Sequence, residues 1–349
     1  MPFATLFSNV SAMLFGQSPL GAPDDPDRPI VEAMIEAVVD AVDPRLRLVS
    51  GYREKLAPGV RRTIAHMREL GRDLPEPIDL TRGAWSANPL IGALFATADD
   101  IPALLGRSHE LVAYFDAAAN SGAQDAYALL GMKMEERTVL GAALVGDAVH
   151  RDVAQKTIGF AGHRIMAVAA DALACRREVG ARIMRRLAGQ ALQRITTRER
   201  RANELEERKA ILAARLRLLT LRRDGLQSVT TGGSDESAEI RDLERALQAT
   251  VDDYIETKTN VATLDGTLVI INEILSAPEQ HLRLARMKRR VNRMGILVAA
   301  DSSESATDLE FLELALGEGL RAVIAIVHIP RSEMPAKGDR VRDAARHLL

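Results

Sequence analysis

The chain has 349 residues and a formal net charge of −2; 47% of its residues are hydrophobic and only 3% are aromatic. This length allows two or three domains, and the near-neutral charge argues against a surface that is basic throughout, as nucleic-acid and membrane binders often have. The single cysteine, Cys175, excludes an intramolecular disulfide and a cysteine-based structural zinc site. We therefore expect a protein of a reducing compartment, the cytoplasm.

Residues 1–28 are predicted to be an N-terminal amphipathic segment followed by a linker. Apolar residues recur at helical spacing up to residue 15, and prolines then punctuate the chain. The apolar run carries no Lys or Arg and is shorter than the roughly 20 residues that span a bilayer. We expect no signal peptide here and no transmembrane segment anywhere in the sequence.

Residues 29–131 are predicted to form an all-α domain. Apolar residues repeat at helical spacing, and Pro58, Pro75, Pro77 and Gly83 separate the segments. The low aromatic content and the many straight-chain residues also favour helix over sheet. The predicted helices cover residues 30–42, 46–55, 60–70, 89–95, 100–106, 110–118 and 123–130.

Residues 132–170 are predicted to form a β meander. Their apolar residues are partly β-branched and alternate with polar ones in three short strands, at residues 137–145, 148–153 and 157–166. Gly146 and Asp147 supply the first turn.

Residues 171–277 predict a coiled-coil helical hairpin. In the first arm, residues 174–225, leucines at positions 205, 212, 219 and 226 occupy the d positions of one heptad frame. The glycine- and serine-containing residues 227–237 break the pattern and form the tip. In the second arm, which ends at residue 276, a heptad frame starting at Ile240 holds to Leu275 without interruption, and Gly266 does not disturb it.

Charge indicates that the two arms pair with each other. Residues 176–223 carry fifteen Lys and Arg against five Asp and Glu, whereas residues 239–276 carry three against eight. Two copies of the first arm would repel each other, and the two arms of one chain attract. The hairpin is therefore predicted to be a self-paired antiparallel coiled coil rather than a dimerisation zipper.

Residues 278–349 are predicted to contain a β segment and a terminal helix at residues 339–349. Residues 320–329 are almost wholly apolar and β-branched, which is typical of a central strand. Residues 309–316 are expected to pair with them as a hairpin, although Thr307, Glu310 and Gly317 would also suit a capped helix. The fold class is thus an α-rich α+β protein, whose β segments on both sides of the hairpin join in one small antiparallel platform.

Few residues suggest chemistry. Asp147, His150, Asp152 and His163 lie close in sequence and could meet on the meander as metal ligands or acid–base groups, but their spacing matches no known motif. Cys175 stands at the start of a helix beside two arginines, which would lower its pKa. Phosphate-binding glycine loops and nucleophile motifs are absent. We predict neither a cofactor nor a metal, and we favour a protein that is not an enzyme.

Two features of the hairpin predict an interaction surface. One is the basic face of the first arm, at Arg194, Arg198, Arg201 and Arg208, and the other is the tip at Gly232 and Gly233. A leucine-zipper basic region would need base-reading residues that this arm lacks. In layout, a helical hairpin between β segments resembles the periplasmic adaptor proteins of export systems; we expect neither their leader nor their lipoyl-like domain, so no residue role carries over.

The predicted function is that of a scaffold or adaptor, in which the projecting hairpin contacts other proteins or further copies of the chain. One alternative is a nucleic-acid-associated protein that uses the basic first arm. The other alternative is an enzyme with a site between the helical domain and the β platform, near Trp85 or His150.

Overall fold

A computed structural model describes residues 27–145, 148–226, 234–259, 263–292, 294–299, 305–317 and 319–336, without the side chains of 142–151, 223–226, 234–237 and 259. Four predicted features therefore lie outside the described residues. They are the N-terminal segment up to residue 26, the turn at residues 146–147, the hairpin tip at residues 227–233 and the terminal helix at residues 339–349.

The chain divides into two compact units. The first comprises Met1–Ala33, Ile64–Met184 and Pro278–Leu349 and contains the sheet. The second comprises Met34–Thr63 and Arg185–Ala277 and contains the helical hairpin.

The N-terminal part of the chain is helical, as predicted. Capping residues set several boundaries: the side chains of Thr81, Asn88 and Ser108 each accept a hydrogen bond from a first-turn amide of the helix that follows. The helices are α1 (Arg28–Val42), α2 (Tyr52–Arg72), α3 (Arg82–Ala87), α4 (Pro89–Leu94), α5 (Asp100–Arg107) and α6 (His109–Asp116), with a 3-10 turn at Pro44–Leu48.

Several predictions in this region are wrong. Residues 49–51 break the helix predicted over residues 46–55, and Gly83 lies inside α3 instead of separating two segments. Pro58 does not end a helix but lies inside α2, where the buried face of Leu56, Val60 and Ile64 continues through it. Residues 123–130 are not helical, because strand β2 (Asp125–Val145) begins there. Ala126, Ala128 and Leu130 are completely buried in that strand, and a strand buried on both faces lacks the polar alternation that would have identified it.

The sheet has six strands in the order β3-β2-β6-β5-β4, with β1 (Ile78–Asp79) beside β6. All neighbours are antiparallel except the parallel pair β1 and β6. The remaining strands are β3 (Ala148–Ala169), β4 (Leu282–Val291), β5 (Thr307–Leu316) and β6 (Leu320–Pro330). β6 is central and residues 309–316 are strand, both as predicted, and strands from both sides of the hairpin form one sheet.

The predicted three-stranded meander is instead a two-stranded hairpin, because residues 148–169 form one continuous strand. β3 contains three irregularities in its pairing with β2, and each includes a residue with positive φ: Asp152, Gly162 and Ala167. Such β-bulges bend a strand and redirect its side chains.

Apolar side chains cover both faces of the sheet within the first unit. On one face, β-strand residues such as Leu130 and Phe311 pack with Ile91, Leu105 and Leu111 of the short helices α4–α6. On the other face, Leu129, Ile324 and Ile326 pack with Cys175 and with further residues of the same cluster, among them Leu74 and Val179. Ile296 and Leu297 also link the two edges of the sheet, since Ile296 bridges to Thr157 of β3 and Leu297 to Val291 of β4.

The helical hairpin consists of the long helix α7 (Ala172–Leu226) followed by α8 (Ser234–Thr259). The unbroken heptad frame had predicted one continuous helix for the second arm, but the arm contains two helices. A separate helix, α9 (Leu264–Ser276), starts after Thr263, whose side chain accepts a hydrogen bond from the amide of Gly266. Gly266 thus lies in a first helical turn, where it does not weaken a helix interior. Helix α10 (Pro278–His281) leads into β4.

Helix α9 also belongs to the core of the second unit. Ile270 is fully buried against Ile195 of α7. Gly59 of α2 permits a close approach, because a Cβ at that position would lie 3.0 Å from the Cβ of Leu275. The hydroxyl of Thr63 donates a hydrogen bond of 2.7 Å to the carbonyl of Leu275. Among the described helices, none is long and apolar enough to cross a membrane.

Candidate functional site

The two arms of the hairpin contact each other through the predicted heptad positions. In α8, Ile240, Leu243 and Thr250 are buried at a and d positions, and in α7 the same holds for Ala202 and Leu205. The described side chains at the outermost heptad positions are exposed in both helices. The burial pattern therefore follows the 3.5-residue repeat that defines a coiled-coil seam.

Contacts between the arms show that they run antiparallel and join opposite charges. Arg215 of α7 lies 2.8 Å from Glu239 of α8. The ammonium group of Lys209 lies 4.5 Å from the ring centre of Tyr254. Nearer the start of α7, Arg198 approaches Glu273 of α9 at 3.9 Å. Residue numbers fall along one arm as they rise along the other.

The predicted basic face is divided between two environments. Arg194 and Arg198 both approach Glu273 of α9, at 4.0 and 3.9 Å. Arg201 pairs with Glu204 of its own helix at 3.6 Å, and Arg208 is exposed. Arg194 and Arg198 therefore help to close the hairpin, and only part of the predicted surface faces outward. Gly232 and Gly233 lie outside the described residues.

The outward face of α7 carries an apolar stripe that the single heptad frame of the seam did not predict. Ile211, Leu218 and Leu221 are 62%, 69% and 70% exposed, and Ala214 is exposed between them. These four residues occupy c and f positions of the heptad frame, which lie opposite the seam. The sequence contains this signal as a second 3,4 repeat of apolar residues, offset from the repeat that forms the seam. We call Ile211, Ala214, Leu218 and Leu221 the outer stripe.

Arginines flank the outer stripe. Arg208, Arg215 and Arg222 lie along one side of it and Arg217 along the other, and all four are exposed. Arg215 is engaged by Glu239. Within the described part of the chain, the guanidinium groups of Arg208, Arg217 and Arg222 have no ion-pair or hydrogen-bond partner. An exposed apolar row with basic borders is suited to contact with an amphipathic, acidic surface.

A second candidate lies in the first unit, as a cleft of about 860 Å³ between helices α5 and α6 and strand β3. Gly162 and His163 form one of the β-bulges, where two residues of β3 oppose Met132 of β2. The bulge turns His163 toward the helices, where its ring stacks on Phe95 with 4.7 Å between ring centres.

The hydrogen bonding of His163 fixes its tautomer. Its Nε2 lies 2.8 Å from the carbonyl oxygen of Leu94, and because a carbonyl only accepts, Nε2 carries the proton. Burial lowers the pKa of His163, an effect that the hydrogen bond to Leu94 and the charge of Asp100 oppose. His163 is therefore a neutral ring at pH 7.

The other predicted ligands do not join His163. His150 is on the same continuous strand, thirteen residues away, which corresponds to about 40 Å at the usual rise per residue. Asp152 is exposed near the far end of that strand, and Asp147 lies outside the described residues. No group of three potential ligands that could hold a metal is present among the described residues.

Cys175 also differs from expectation. It is completely buried on one face of the sheet, and burial raises the pKa of its thiol to about 12 although Arg176 and Arg182 lower it. The neighbouring arginines alone predicted a lowered pKa for this thiol, but the loss of hydration on burial has the larger effect. Cys175 is a core residue and an unreactive thiol.

His328 has two acidic partners that no sequence pattern revealed. Its Nδ1 lies 2.7 Å from Asp79 of β1, and its Nε2 lies 3.0 Å from Asp125 of β2. Three strands meet here, so the contacts depend on sheet topology and not on spacing in the sequence. The arrangement joins the ends of β1, β2 and β6.

Comparison with protein-family models, with curated proteins and with solved structures finds no match to this chain.

Proposed function

We propose that the protein is a non-enzymatic scaffold or adaptor, and that the outer stripe of α7 binds an amphipathic helix of another protein. The observation that supports this most strongly is the exposure of Ile211, Leu218 and Leu221 on a helix whose opposite face is already occupied by α8. The helix α7 has two apolar faces, and its own hairpin buries only one of them. Apolar residues at this spacing form one continuous face, which can pack against the apolar face of a second helix.

Charge specifies the partner. Arginines border the stripe on both sides, so a docking helix with Asp or Glu beside its apolar seam gains complementary contacts. Two copies of the stripe facing each other would place arginine rows together, which disfavours a homodimer through this face. The aliphatic stripe also favours a protein over a nucleic acid, because phosphate recognition requires the basic groups alone.

The test uses a fluorescent 21-residue peptide with Leu at a and d and Glu at e and g, whose own association is opposed by its charge. We expect the full-length chain to bind it, as measured by fluorescence anisotropy, and L218Q/L221Q to bind at least tenfold more weakly. The matched control is Leu192→Gln, which alters an exposed leucine of α7 outside the stripe and should leave affinity unchanged.

Three results would contradict the proposal. The first is equal binding of a peptide with Lys in place of every Glu. The second is equal binding by L218Q/L221Q when circular dichroism shows it to be folded. The third is stronger binding of a 20-base-pair DNA duplex that is lost on adding salt, which would favour the nucleic-acid alternative.

A further inference from the structure

The cleft between α5, α6 and β3 has an uneven distribution of available charge. Its two acidic side chains, Asp100 and Glu110, both accept hydrogen bonds within the protein, but only Glu110 has a cationic partner. Asp100 accepts hydrogen bonds from the amide and the hydroxyl of Thr97, at 2.8 and 2.9 Å. Glu110 receives both terminal guanidinium nitrogens of Arg182, at 2.9 and 2.8 Å.

The carboxylate of Glu110 also accepts a hydrogen bond from the backbone of β3. The amide of Ala167 donates to Glu110 at 3.0 Å. Ala167 has a φ of 55° at a β-bulge of β3, where the ladder does not pair its amide, so the carboxylate replaces the missing strand partner. The carboxylate of Glu110 therefore stabilises the β-bulge, and Arg182 neutralises its charge.

Two of the basic groups of the cleft are not used in this way; the third, Arg107, donates from Nε to the carbonyl of Ala103 at 3.1 Å. Arg164 and His109 line it and are exposed, and within the described residues neither has a hydrogen-bond or ion-pair partner. Arg107 lines the same cleft. The unpartnered groups offered to a ligand are thus Arg164 and His109, whereas Glu110 is paired with Arg182 and Asp100 is hydrogen-bonded by Thr97.

The apolar part of the lining includes two stacked rings. Phe95 and the neutral ring of His163 stack at an angle of 25°, and Phe160, Leu104 and Ile165 complete the lining. Binding sites for small molecules combine such apolar walls with a few convergent polar groups. The volume of about 860 Å³ is in the range of such sites.

We infer that this cleft binds a planar organic anion, whose charged group is held by Arg164 and His109 and whose ring lies against the apolar wall. This site is separate from the outer stripe of α7, and neither requires the other. The inference rests on the pairing of Glu110 with Arg182, on the unpartnered Arg164 and His109, and on the apolar lining of the cleft.

The probe is 1-anilinonaphthalene-8-sulfonate, with N-phenyl-1-naphthylamine as its uncharged analogue, each titrated by fluorescence. Both are added to the full chain carrying L218Q/L221Q, so that the outer stripe does not contribute. We expect H109Q/R164Q to weaken sulfonate binding at least fivefold and to leave binding of the uncharged analogue unchanged. The matched control is Arg321→Gln, which removes an exposed arginine of β6 outside the cleft and should have no effect.

Competition then defines the charged group, since benzoate and phenyl phosphate can each be tested for displacement of the probe. Displacement by either supports the inference and identifies the preferred anion. Equal sulfonate binding by H109Q/R164Q and its parent would overturn it. The inference would also be overturned if H109Q/R164Q lost as much affinity for the uncharged analogue as for the sulfonate, because that would indicate a general disturbance of the apolar wall.

Discussion

Replacing Leu130 by alanine should lower the free energy of unfolding of the sheet-containing unit by about 3 kcal/mol, with the usual range for such changes running from about 2 to 5 kcal/mol. Leu130 is 0% exposed, and it lies on β2 between Ile165 of β3 and Ala325 of β6. Neighbours fixed by two strand ladders cannot readily collapse into the space that the side chain leaves, so a cavity persists.

The same strand offers a matched control. Leu140 is 70% exposed, so Leu140→Ala should change stability by less than about 0.5 kcal/mol. Urea unfolding can be followed by the fluorescence of Trp85, the single tryptophan of the chain, whose indole donates to the carbonyl of Phe95 at 2.9 Å within this unit. Equal effects of the two substitutions would show that the burial pattern of β2 is wrong.

Replacing Leu205 by alanine should destabilise the helical hairpin by about 2 to 4 kcal/mol. Leu205 is at a d position of α7 and is 2% exposed, so its truncation leaves a gap in the seam. Leu218→Ala, on the outward face of the same helix, removes a side chain that is 69% exposed and should alter stability by less than about 0.5 kcal/mol.

These two variants also separate stability from binding. Circular dichroism at 222 nm during urea unfolding should show the loss only for Leu205→Ala, whereas the acidic amphipathic peptide should lose affinity for Leu218→Ala. If Leu218→Ala proved the more destabilising of the two, the heptad assignment of α7 would be reversed and the outer stripe would be part of the seam.

The sequence predicted the features of the fold that depend on local periodicity. The seam of α7 and α8 follows from leucines seven residues apart, and β6 follows from an unbroken β-branched run. The interruption near Thr263 was invisible because the heptad frame continues in phase across it. A break that preserves the repeat leaves no trace in a pattern defined by that repeat.

Features that depend on tertiary contacts could not be predicted in the same way. The start of β2 contains alanines that suit a helix, and only its burial on both faces makes it a strand. The pKa of Cys175 depends on burial beneath the sheet, which outweighs the adjacent arginines. The cleft at His163 requires a β-bulge that brings the ring to Phe95, a residue far away in the sequence.

The outer stripe is free to bind a partner only because the hairpin pairs with itself. The direct measurement is intramolecular cross-linking of R215C/E239C by a short bismaleimide, analysed by denaturing electrophoresis. Arg215 and Glu239 are in contact, and buried Cys175, with its raised pKa, should not compete for the reagent. We expect a cross-linked monomer, and little of it from the control R217C/E239C, whose first cysteine is on the far side of α7. Cross-linked dimers, or equal yields from both pairs, would contradict the account.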